Sequence, residues 1–479
     1  MNLTDPTFDN SPEQIDATVA AAAAAADTYA AADAATRAAL LRGLADALEA
    51  ARDSLVPLAD RESHLGPARL NGELDRTAFQ LRGFATRVEA GDAFAHVDDP
   101  AVAGGPPAGH PALLRVRQPL GPVAMFAASN FPFAFSVLGG DTASALAAGC
   151  PVVVKGHPAH PELTRATAEL AAGVVKAQGL PAGVFGLVEG AAVAVGVHLV
   201  QHPAIAAVAF TGSFRGGAAL QAVANARPRP IPFFGELGSI NPVIARPAVL
   251  AAQGPALATT LAGSITLGCG QFCTSPGVIV LPDDPASDSF VDALAAALSD
   301  ARPHAMLTPG MRANFDAGVA GWAATPGVPW RVAPTDGGDA PTPALAVTDA
   351  ATFIATPALH DEVFGPAALV VRTTSVDEAV AVLRAIGGSL TVTLWGAETD
   401  DAASRALVRA AMQTAGRVLF GGVPTGVAVT AGQQHGGPWP SSTRAETTSV
   451  GWAAMDRFLR PVALQDAPAW LQRLGGRPC

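Results

Sequence analysis

The first ninety residues carry the pattern of helices. Ser11, Pro12 and Gln14 have the arrangement of a helix start, in which serine caps the helix, proline occupies its first turn and glutamine follows three residues later. The alanine-rich run after them strongly favours helix. A second helix with one apolar face is predicted by four leucines at helical spacing: Leu40, Leu41, Leu44 and Leu48.

From about 121 to 236, short apolar runs alternate with helical patterns. Strands are predicted over Val123–Ala127, Val152–Val154, Val184–Val188 and Ala206–Phe210. Helices are predicted over residues 141–149, 161–178, 191–201 and 216–225. Strand–helix alternation of this kind indicates a parallel, doubly wound sheet.

A second alternating block runs from about 238 to 440, with turn-rich breaks near 282–288 and 334–342. Before the first block, residues 98–120 are rich in Pro, Gly and Ala and end in the alternating segment Leu113–Arg117. We interpret this stretch as a loop followed by an extended ribbon.

Composition narrows the class of protein. A chain of 479 residues is expected to form two or three domains, and 49% hydrophobic with 15% charged residues is typical of a well-buried globular enzyme. The net charge of −11 argues against a nucleic-acid partner. Two long apolar stretches are interrupted, one by Asp141 and one by the polar residues 198–203, and the N-terminus lacks a secretory pattern. We therefore expect no membrane partner.

The cysteines are too few for a disulfide framework in a chain of this length, which favours a cytoplasmic protein. They are Cys150, Cys269, Cys273 and Cys479. Cys273 lies in the small-residue segment GQFCTSPG (270–277), where a thiolate could act as a nucleophile. Cys269 could share a face with it if the segment is helical. We expect no metal site, because no neighbouring His or Cys completes a ligand set.

Three further positions are candidates for chemistry. Glu236 ends an apolar run, where a carboxylate is costly unless it is paired or has a task, and a cap or ion pair is the alternative. The segment FTGSFRGG (210–217) follows a strand and opens a helix, which is a place for a pyrophosphate. Lys155 closes the predicted strand Pro151–Val154, at the carboxyl edge where nucleotides bind.

Taken together, these segments resemble the aldehyde dehydrogenase superfamily over nearly the whole chain. The residues in these segments are most similar to those of the branch of α-ketoglutarate semialdehyde (2,5-dioxovalerate) dehydrogenases and bacterial NADP-dependent fatty aldehyde dehydrogenases. The resemblance is carried by ASNFP (128–132), GGDTASALAAGCPVVVK (139–155), FTGS (210–213), ELGSINP (236–242), GQFCTSPG (270–277), EVFGP (362–366), PTGV (424–427), HGGPWPSST (435–443) and RFLRPV (457–462).

The resemblance implies roles for three catalytic residues. Cys273 would attack the aldehyde carbon and carry the thioester. The amide of Asn130 and the backbone N–H of Cys273 would hold the oxyanion, each such donor being worth on the order of 3 kcal/mol of barrier. Glu236 would activate the water that releases the acid.

The resemblance also implies a nicotinamide dinucleotide cofactor. Lys155 would bind the adenosine ribose or its phosphate, and Gly212 and Ser213 would bind the pyrophosphate. Glu362 would bind the nicotinamide ribose, with Phe364 packed beside it. Many NAD-preferring relatives carry a glutamate three residues after the lysine, whereas this chain has Pro158. We therefore predict that NADP is accepted as cofactor. A preference for NADP over NAD is the stronger form of this prediction.

The implied fold is α/β, with a Rossmann-type cofactor domain (1–97 and 121–237) and an α/β catalytic domain (238–444) around the active site. Residues 98–120 and 445–479 would form a small β oligomerisation element and tail that bridges subunits, giving a homodimer or homotetramer.

A separate hypothesis concerns the two neighbouring cysteines, namely that Cys269 pairs with Cys273 under oxidation.

The expected activity is non-acylating oxidation of an aldehyde by NAD(P)+, with 2,5-dioxopentanoate as the leading substrate. Medium- or long-chain aliphatic aldehydes are the alternative, since aromatic residues could line a tunnel: Phe131, Phe133, Phe135, Phe272 and Trp439. A non-catalytic binding protein on the same fold is the remote alternative.

Overall fold

The computed structural model describes residues 9–335 and 338–473. Cys479 and the start of the N-terminal segment lie outside these residues. The chain divides into two compact units, one running up to Gly235 and including residues 429–432 and the chain from Thr447 onward. The other comprises residues 236–428 and 433–446. The division falls two residues before the domain boundary predicted at 237/238. Of the predicted bridging element, residues 98–120 and the part from Thr447 onward fall in the first unit, whereas residues 445 and 446 fall in the second.

The first unit begins with four helices, namely α1 (Pro12–Ala31), α2 (Ala34–Ala50), α3 (Arg52–Ser63) and α4 (Pro67–Glu89). The predicted start of α1 is confirmed, since the Ser11 side chain accepts from the Gln14 N–H and the Gln14 side chain accepts from the Ser11 N–H. The leucine face of α2 is buried, as predicted.

Two short strands, β1 (Val97–Asp99) and β2 (Leu113–Pro119), follow these helices, and after them come the strands of a five-stranded sheet and its crossover helices. In chain order these later elements are β3 (Val123–Phe126), α5 (Gly140–Ala148), β4 (Val152–Lys155), α6 (Pro161–Ala177), β5 (Phe185–Val188), α7 (Val193–Gln201), β6 (Ala207–Thr211), α8 (Phe214–Asn225) and β7 (Phe233–Glu236). The five-stranded sheet has the order β5-β4-β3-β6-β7. The strand order reverses direction at β3, which is where a doubly wound sheet binds ligands at its carboxyl edge.

The second unit contains the predicted second block. Its elements are β8 (Val243–Ala245), α9 (Pro247–Thr266), β9 (Val278–Pro282), α10 (Pro285–Asp300), α11 (Pro309–Ala323), β10 (Trp330–Val332), β11 (Ala344–Asp349), α12 (Ala350–Ala355), β12 (Ala367–Thr373), α13 (Val376–Ile386), β13 (Ser389–Trp395), α14 (Ala402–Thr414) and β14 (Ala415–Leu419). The sheet order is β10-β11-β12-β9-β8-β13-β14, and within this sheet β10 is the one described strand that pairs antiparallel. The predicted break near 282–288 is wrong in part, because α10 begins at Pro285 with Asp284 as its cap.

Both faces of this second sheet are buried. Along β9, Val278 and Val280 belong to one core, whereas Ile279 and Leu281 belong to the core on the opposite face. This burial on two sides explains why the strands of a covered parallel sheet appear as continuous apolar runs in the sequence.

Helix α9 and the turn after it form a stretch, Pro247–Gly270, that is long and apolar enough to cross a membrane by length and composition alone. The sequence analysis did not single out this stretch. Leu250, Leu261 and Ile265 of α9 are buried in a core of the second unit, which is the packing expected of a core helix.

The last elements among the described residues are β15 (Leu459–Gln465) and α15 (Ala469–Arg473). Strand β15 pairs antiparallel with β2 along its whole length, and β1 pairs with the other edge of β2. The predicted ribbon at Leu113–Arg117 therefore lies at the centre of a three-stranded sheet.

Candidate active site

The segment that carries Cys273 leaves α9 through a left-handed turn. Gly268, Cys269 and Gly270 have φ values of +56°, +60° and +67° in succession. A Cβ on Gly270 would lie 2.2 Å from the backbone of Gly365, so only glycine permits this approach. Cys273 follows in a turn and is half-buried. The two cysteines therefore do not share a helical face, and that expectation is wrong.

Cys269 faces the apolar interior. Its side chain belongs to the core beneath the second sheet, and burial raises the pKa of its thiol to about 12. A thiol that rarely ionises is a poor partner for disulfide exchange. This environment argues against the hypothesis that Cys269 pairs with Cys273.

Asn241 holds the backbone around Cys273. Its Nδ2 donates to the carbonyl of Cys273 at 2.9 Å and to that of Ser275 at 3.0 Å. Its Oδ1 accepts from the hydroxyls of Ser239 at 2.8 Å and Thr391 at 3.1 Å. The residue is fully buried and adopts φ +53°, a conformation that asparagine tolerates better than most residues. One amide thus fixes the loop that presents the thiol.

Glu236 lies at the end of β7, as predicted from the apolar run before it. Its backbone forms an isolated bridge with Ser442, and the next residue, Leu237, donates from its N–H to the Ser441 carbonyl at 2.8 Å. The carboxylate is 4% exposed overall and therefore needs polar partners. The segment 433–446 supplies one of them.

That partner is His435. Its Nε2 lies 2.9 Å from Glu236 Oε1 and 3.6 Å from Cys273 Sγ. The imidazole is fully buried. One ring nitrogen therefore faces both the thiol and the carboxylate, and a proton that leaves the thiol has a short path through Nε2 to the carboxylate.

The positively charged Arg417 interacts with the Cys273 thiol. Arg417 lies on β14, and this electrostatic attraction favours the thiolate. Its guanidinium donates to the carbonyls of Pro424 at 2.5 Å and Gly426 at 2.9 Å. Burial lowers the pKa of Arg417, although an arginine so altered remains charged at neutral pH. Arg417 therefore also holds part of the PTGV segment.

Glu362 and Phe364 line one recess of the second unit, together with Ser239, Gly270 and Gly365. The N–H of Ser239 donates to Glu362, while burial and the nearby charge of Glu236 raise the pKa of Glu362 to about 8. A Cβ on Gly238 would lie 2.7 Å from the Glu362 carboxylate, so a larger residue there would displace that carboxylate. The two residues predicted to contact the nicotinamide ribose thus share one cavity wall.

The remaining cofactor candidates belong to the first unit. Lys155 ends β4 at the carboxyl edge, and its Nζ donates to the carbonyls of Gly156 at 3.0 Å and Gly190. Ser213 caps α8 by accepting from the Gly216 N–H at 3.3 Å, and Gly212 precedes it directly after β6. An ammonium group and a helix N-terminus at one sheet edge fit the phosphate groups of a dinucleotide.

The histidines near Lys155 are not cations. Burial lowers the pKa of both His157 and His160, and for His157 the charge of Lys155 adds to the effect. His160 is enclosed, with Nε2 3.0 Å from the Ala128 carbonyl and Nδ1 3.2 Å from the Thr164 hydroxyl. These neutral rings support a structural role.

Asn130 lies in the first unit, four residues after β3, and is buried. Its carbonyl accepts from the Arg69 guanidinium of α4 at 2.6 Å. Glu73, one helical turn later, accepts from the N–H groups of Phe133 at 2.8 Å and Ala134 at 3.1 Å. Helix α4 thereby fixes the segment that holds the predicted oxyanion donor.

Sequence reasoning missed His435 and Asn241. Both occur in segments that carried the family resemblance, HGGPWPSST and ELGSINP, but neither received a role. His435 lies 162 residues beyond Cys273 in the chain and is therefore not a sequence neighbour of the thiol. The signal available in the sequence was a histidine at the start of a segment that carries the family resemblance.

Comparisons with known proteins agree on one family. The profile of the aldehyde dehydrogenase family matches residues 7–313. A protein of Azospirillum brasilense described as alpha-ketoglutaric semialdehyde dehydrogenase 2 is 46% identical over 449 residues, covering 92% of this chain and 85% of the relative. An alpha-ketoglutaric semialdehyde dehydrogenase of Acinetobacter baylyi is 40% identical over 441 residues, covering 90% and 82%.

The fold also matches solved structures. An NAD-dependent aldehyde dehydrogenase from Sinorhizobium meliloti superposes with a TM-score of 0.78 at 23% identity, covering 96% of this chain and 89% of that one. With the two parallel sheets, these matches define an NAD(P)-dependent enzyme that oxidises aldehydes. The chain belongs to the aldehyde dehydrogenase family.

Proposed function

We propose that this enzyme oxidises 2,5-dioxopentanoate, which is α-ketoglutarate semialdehyde, to 2-oxoglutarate. The proposal rests on the two relatives described by this activity, at 46% and 40% identity over most of both chains. The arrangement of Cys273, His435 and Glu236 supports the chemistry, because it combines a nucleophile, a proton acceptor and a base for water.

The reaction begins at the thiol. Cys273 Sγ gives its proton to His435 Nε2, which shares it with Glu236 Oε1, and the thiolate sulfur then bonds to the aldehyde carbon. The carbonyl oxygen takes the negative charge, and the backbone N–H of Cys273 is the donor proposed to hold it in this unit. Asn130 keeps its predicted role as the second donor.

The adduct carbon then loses hydride. A bound nicotinamide cofactor would accept that hydride, which leaves an acyl group on Cys273 as a thioester. The proton shared by His435 and Glu236 passes to solvent, which frees the Glu236 carboxylate. Glu236 then takes a proton from water, whose oxygen attacks the acyl carbon and displaces the Cys273 sulfur as a thiolate. The product leaves as the carboxylate and loses its proton to solvent, and the sulfur takes the proton from Glu236, which restores the thiol.

NADP+ is proposed to be accepted alongside NAD+. Pro158 offers no carboxylate to repel a 2′-phosphate, and Lys155 offers a positive charge at the sheet edge. Nearby Glu189 is neutralised by Arg165 at 2.8 Å. We further propose a cytoplasmic homodimer or homotetramer.

A panel of aldehydes, assayed by the absorbance of reduced cofactor with NAD+ and with NADP+, tests the proposal. We expect a higher kcat/KM for 2,5-dioxopentanoate than for hexanal or longer aliphatic aldehydes. The reverse order would replace this substrate with the fatty aldehyde alternative. Cys273→Ala should lose all activity, whereas Cys269→Ala, a change in the neighbouring thiol, should retain it.

The Glu236→Gln variant tests the assignment of the water-activating base. We expect one burst of reduced cofactor per active site and then slow turnover, because the thioester forms but hydrolyses slowly. Rapid-mixing absorbance and mass spectrometry of the acylated chain provide the measurement. Steady turnover at the native rate would show that another group activates the water.

A further inference from the structure

Three side chains with different metal-binding atoms meet in the second unit. The Sγ of Cys273, a ring nitrogen of His435 and a carboxylate oxygen of Glu236 all lie within 4.8 Å of one another. His435 and Glu236 are buried, and Cys273 is half-buried. Thiolate, imidazole and carboxylate are the ligands that Zn²⁺ binds in proteins.

We propose that these three groups form an inhibitory site for Zn²⁺ and chemically similar divalent cations, with water as the fourth ligand. Binding would join the metal to Cys273 Sγ, His435 Nε2 and one Glu236 oxygen, while the thiol proton passes to solvent. The inhibition rests on the proposed function, because the same sulfur attacks the aldehyde. The binding itself does not depend on it.

The separations suit a tetrahedral cation. Bond lengths of about 2.3 Å to sulfur and about 2.0 Å to nitrogen place those two ligand atoms roughly 3.5 Å apart. Cys273 Sγ and His435 Nε2 are already 3.6 Å apart. The 2.9 Å contact between His435 and Glu236 would widen by roughly half an ångström, a shift that side-chain rotation supplies.

The ligands are held in place before any metal arrives. Asn241 fixes the Cys273 carbonyl, and backbone pairing of Glu236 with Ser442 fixes the carboxylate relative to the segment that carries His435. A preformed set of this kind loses little conformational freedom on binding.

The donor set also selects among cations. Mg²⁺ and Ca²⁺ need several oxygen ligands, and this group supplies one carboxylate. Sulfur and nitrogen favour zinc, cobalt and related ions. We therefore expect micromolar Zn²⁺ to inhibit under conditions where millimolar Mg²⁺ does not, and a chelator to restore activity.

The experiment uses the full-length enzyme freed of metal by dialysis against chelator. Co²⁺ replaces Zn²⁺ as a spectroscopic probe, since a cysteine ligand gives a thiolate-to-cobalt charge-transfer band and a tetrahedral site gives intense visible bands. Zn²⁺ affinity is then measured by competition with the bound Co²⁺, independently of turnover. We expect both sets of bands in the native protein.

Matched variants assign the ligands. His435→Gln and Glu236→Gln should each weaken Zn²⁺ binding by at least on the order of 100-fold, more than loss of an outer contact to a metal ligand. His304→Gln, which removes a part-buried imidazole elsewhere in the unit, and Cys269→Ala should bind Zn²⁺ as the native enzyme does.

The outcomes separate the two proposals. Absence of the charge-transfer band, or Zn²⁺ affinity unchanged in His435→Gln, would overturn the metal site even if the enzyme oxidises 2,5-dioxopentanoate. A protein that binds Co²⁺ through these ligands but oxidises none of the aldehydes would leave the metal site standing and refute the proposed function.

Discussion

Asn241 combines an unusual backbone conformation with a side chain that hydrogen-bonds to four residues, two of them on the loop of Cys273. Its amide donates to the carbonyls of Cys273 and Ser275, while Oδ1 accepts from two hydroxyls. A carboxylate at this position would have the same shape, but it would place negative charge against two carbonyl oxygens. The position therefore requires an amide rather than any polar group of that size.

The Asn241→Asp variant should reduce kcat by roughly 10- to 100-fold, since an unsatisfied buried polar group costs about 1–3 kcal/mol. The same variant should alter the rate at which iodoacetamide alkylates Cys273. Thr391→Val, which removes only one of the hydroxyls that support Asn241, should have a smaller effect in the same direction. Native kcat and alkylation in Asn241→Asp would contradict the positioning role.

Lys155 links cofactor choice to pH. Burial lowers the pKa of Lys155 from 10.5 to about 8, so the ammonium charge is present below that pH and is lost above it. A 2′-phosphate keeps its negative charge across this range. The KM for NADP+ should therefore rise between about pH 7 and pH 9, and it should rise more than the KM for NAD+.

Steady-state kinetics with both cofactors at several pH values measure this difference. Lys155→Arg keeps its charge at every pH in the series and should flatten the NADP+ profile. Parallel profiles for the two cofactors in the native enzyme would remove Lys155 from phosphate recognition.

Cys273 and Glu236 could be singled out from the sequence because each lies in a segment that carries the family resemblance, and the structure places their side chains near one another. His435 was not, because its contact with both depends on folding that joins residues 162 positions apart. Asn241 was not, because its partners are backbone carbonyls, which every residue carries.

Helix α4 acts on the 130–134 segment through one face. Arg69 and Glu73, four residues apart, lie on the same side of the helix and bond the Asn130 carbonyl and the Phe133 and Ala134 N–H groups. Burial raises the pKa of Glu73 from 4.5 to about 7. The folded protein therefore keeps this carboxyl protonated at pH values where the unfolded chain has ionised it.

It follows that Glu73 makes folding less favourable as the pH rises from about 4.5 to 7. Glu73→Gln is neutral throughout and retains an oxygen that can accept from both N–H groups. It should flatten the dependence of unfolding free energy on pH by on the order of 3 kcal/mol between those limits. Denaturant unfolding at about pH 5 and pH 8 measures it, with the exposed Glu169→Gln as the control. Identical pH dependence in native and Glu73→Gln proteins would refute the assignment.

Among the elements, buried parallel strands were predicted to within a residue or so because their apolar runs are short and bounded by turns. Strand β4, predicted at Val152–Val154, spans Val152–Lys155. Helix α10 was missed at its start because Asp284 and Pro285 were interpreted as a turn. The same two residues are a helix cap and a first-turn proline, and only the apolar spacing further along separates the two interpretations.

For the whole molecule, the three-stranded sheet is the feature most relevant to assembly. Strand β15 is the outer strand in the order β1-β2-β15, and no strand among residues 9–335 and 338–473 pairs with its other edge. Edges of this kind can add a strand from a second copy of the chain. This edge supports the proposed homo-oligomer.

Leu464→Lys places a charge on β15, where lysine discourages strand addition. We expect light scattering to give a mass of two or four chains for the native protein and a mass near 48.1 kDa for the variant. Met412→Lys, at an exposed apolar position on α14, should keep the native mass. A native protein of one-chain mass at all concentrations would rule out the assembly.

The close approach of Gly270 to Gly365 couples two segments of the second unit mechanically. The two main chains pass each other here with no side chain between them. A displacement of the segment that carries Glu362 and Phe364 would therefore be passed directly to the loop of Cys273. If a dinucleotide bound at Glu362 and Phe364 changes the pKa of the Cys273 thiol, ionisation of that thiol must change the dinucleotide's affinity by the same factor.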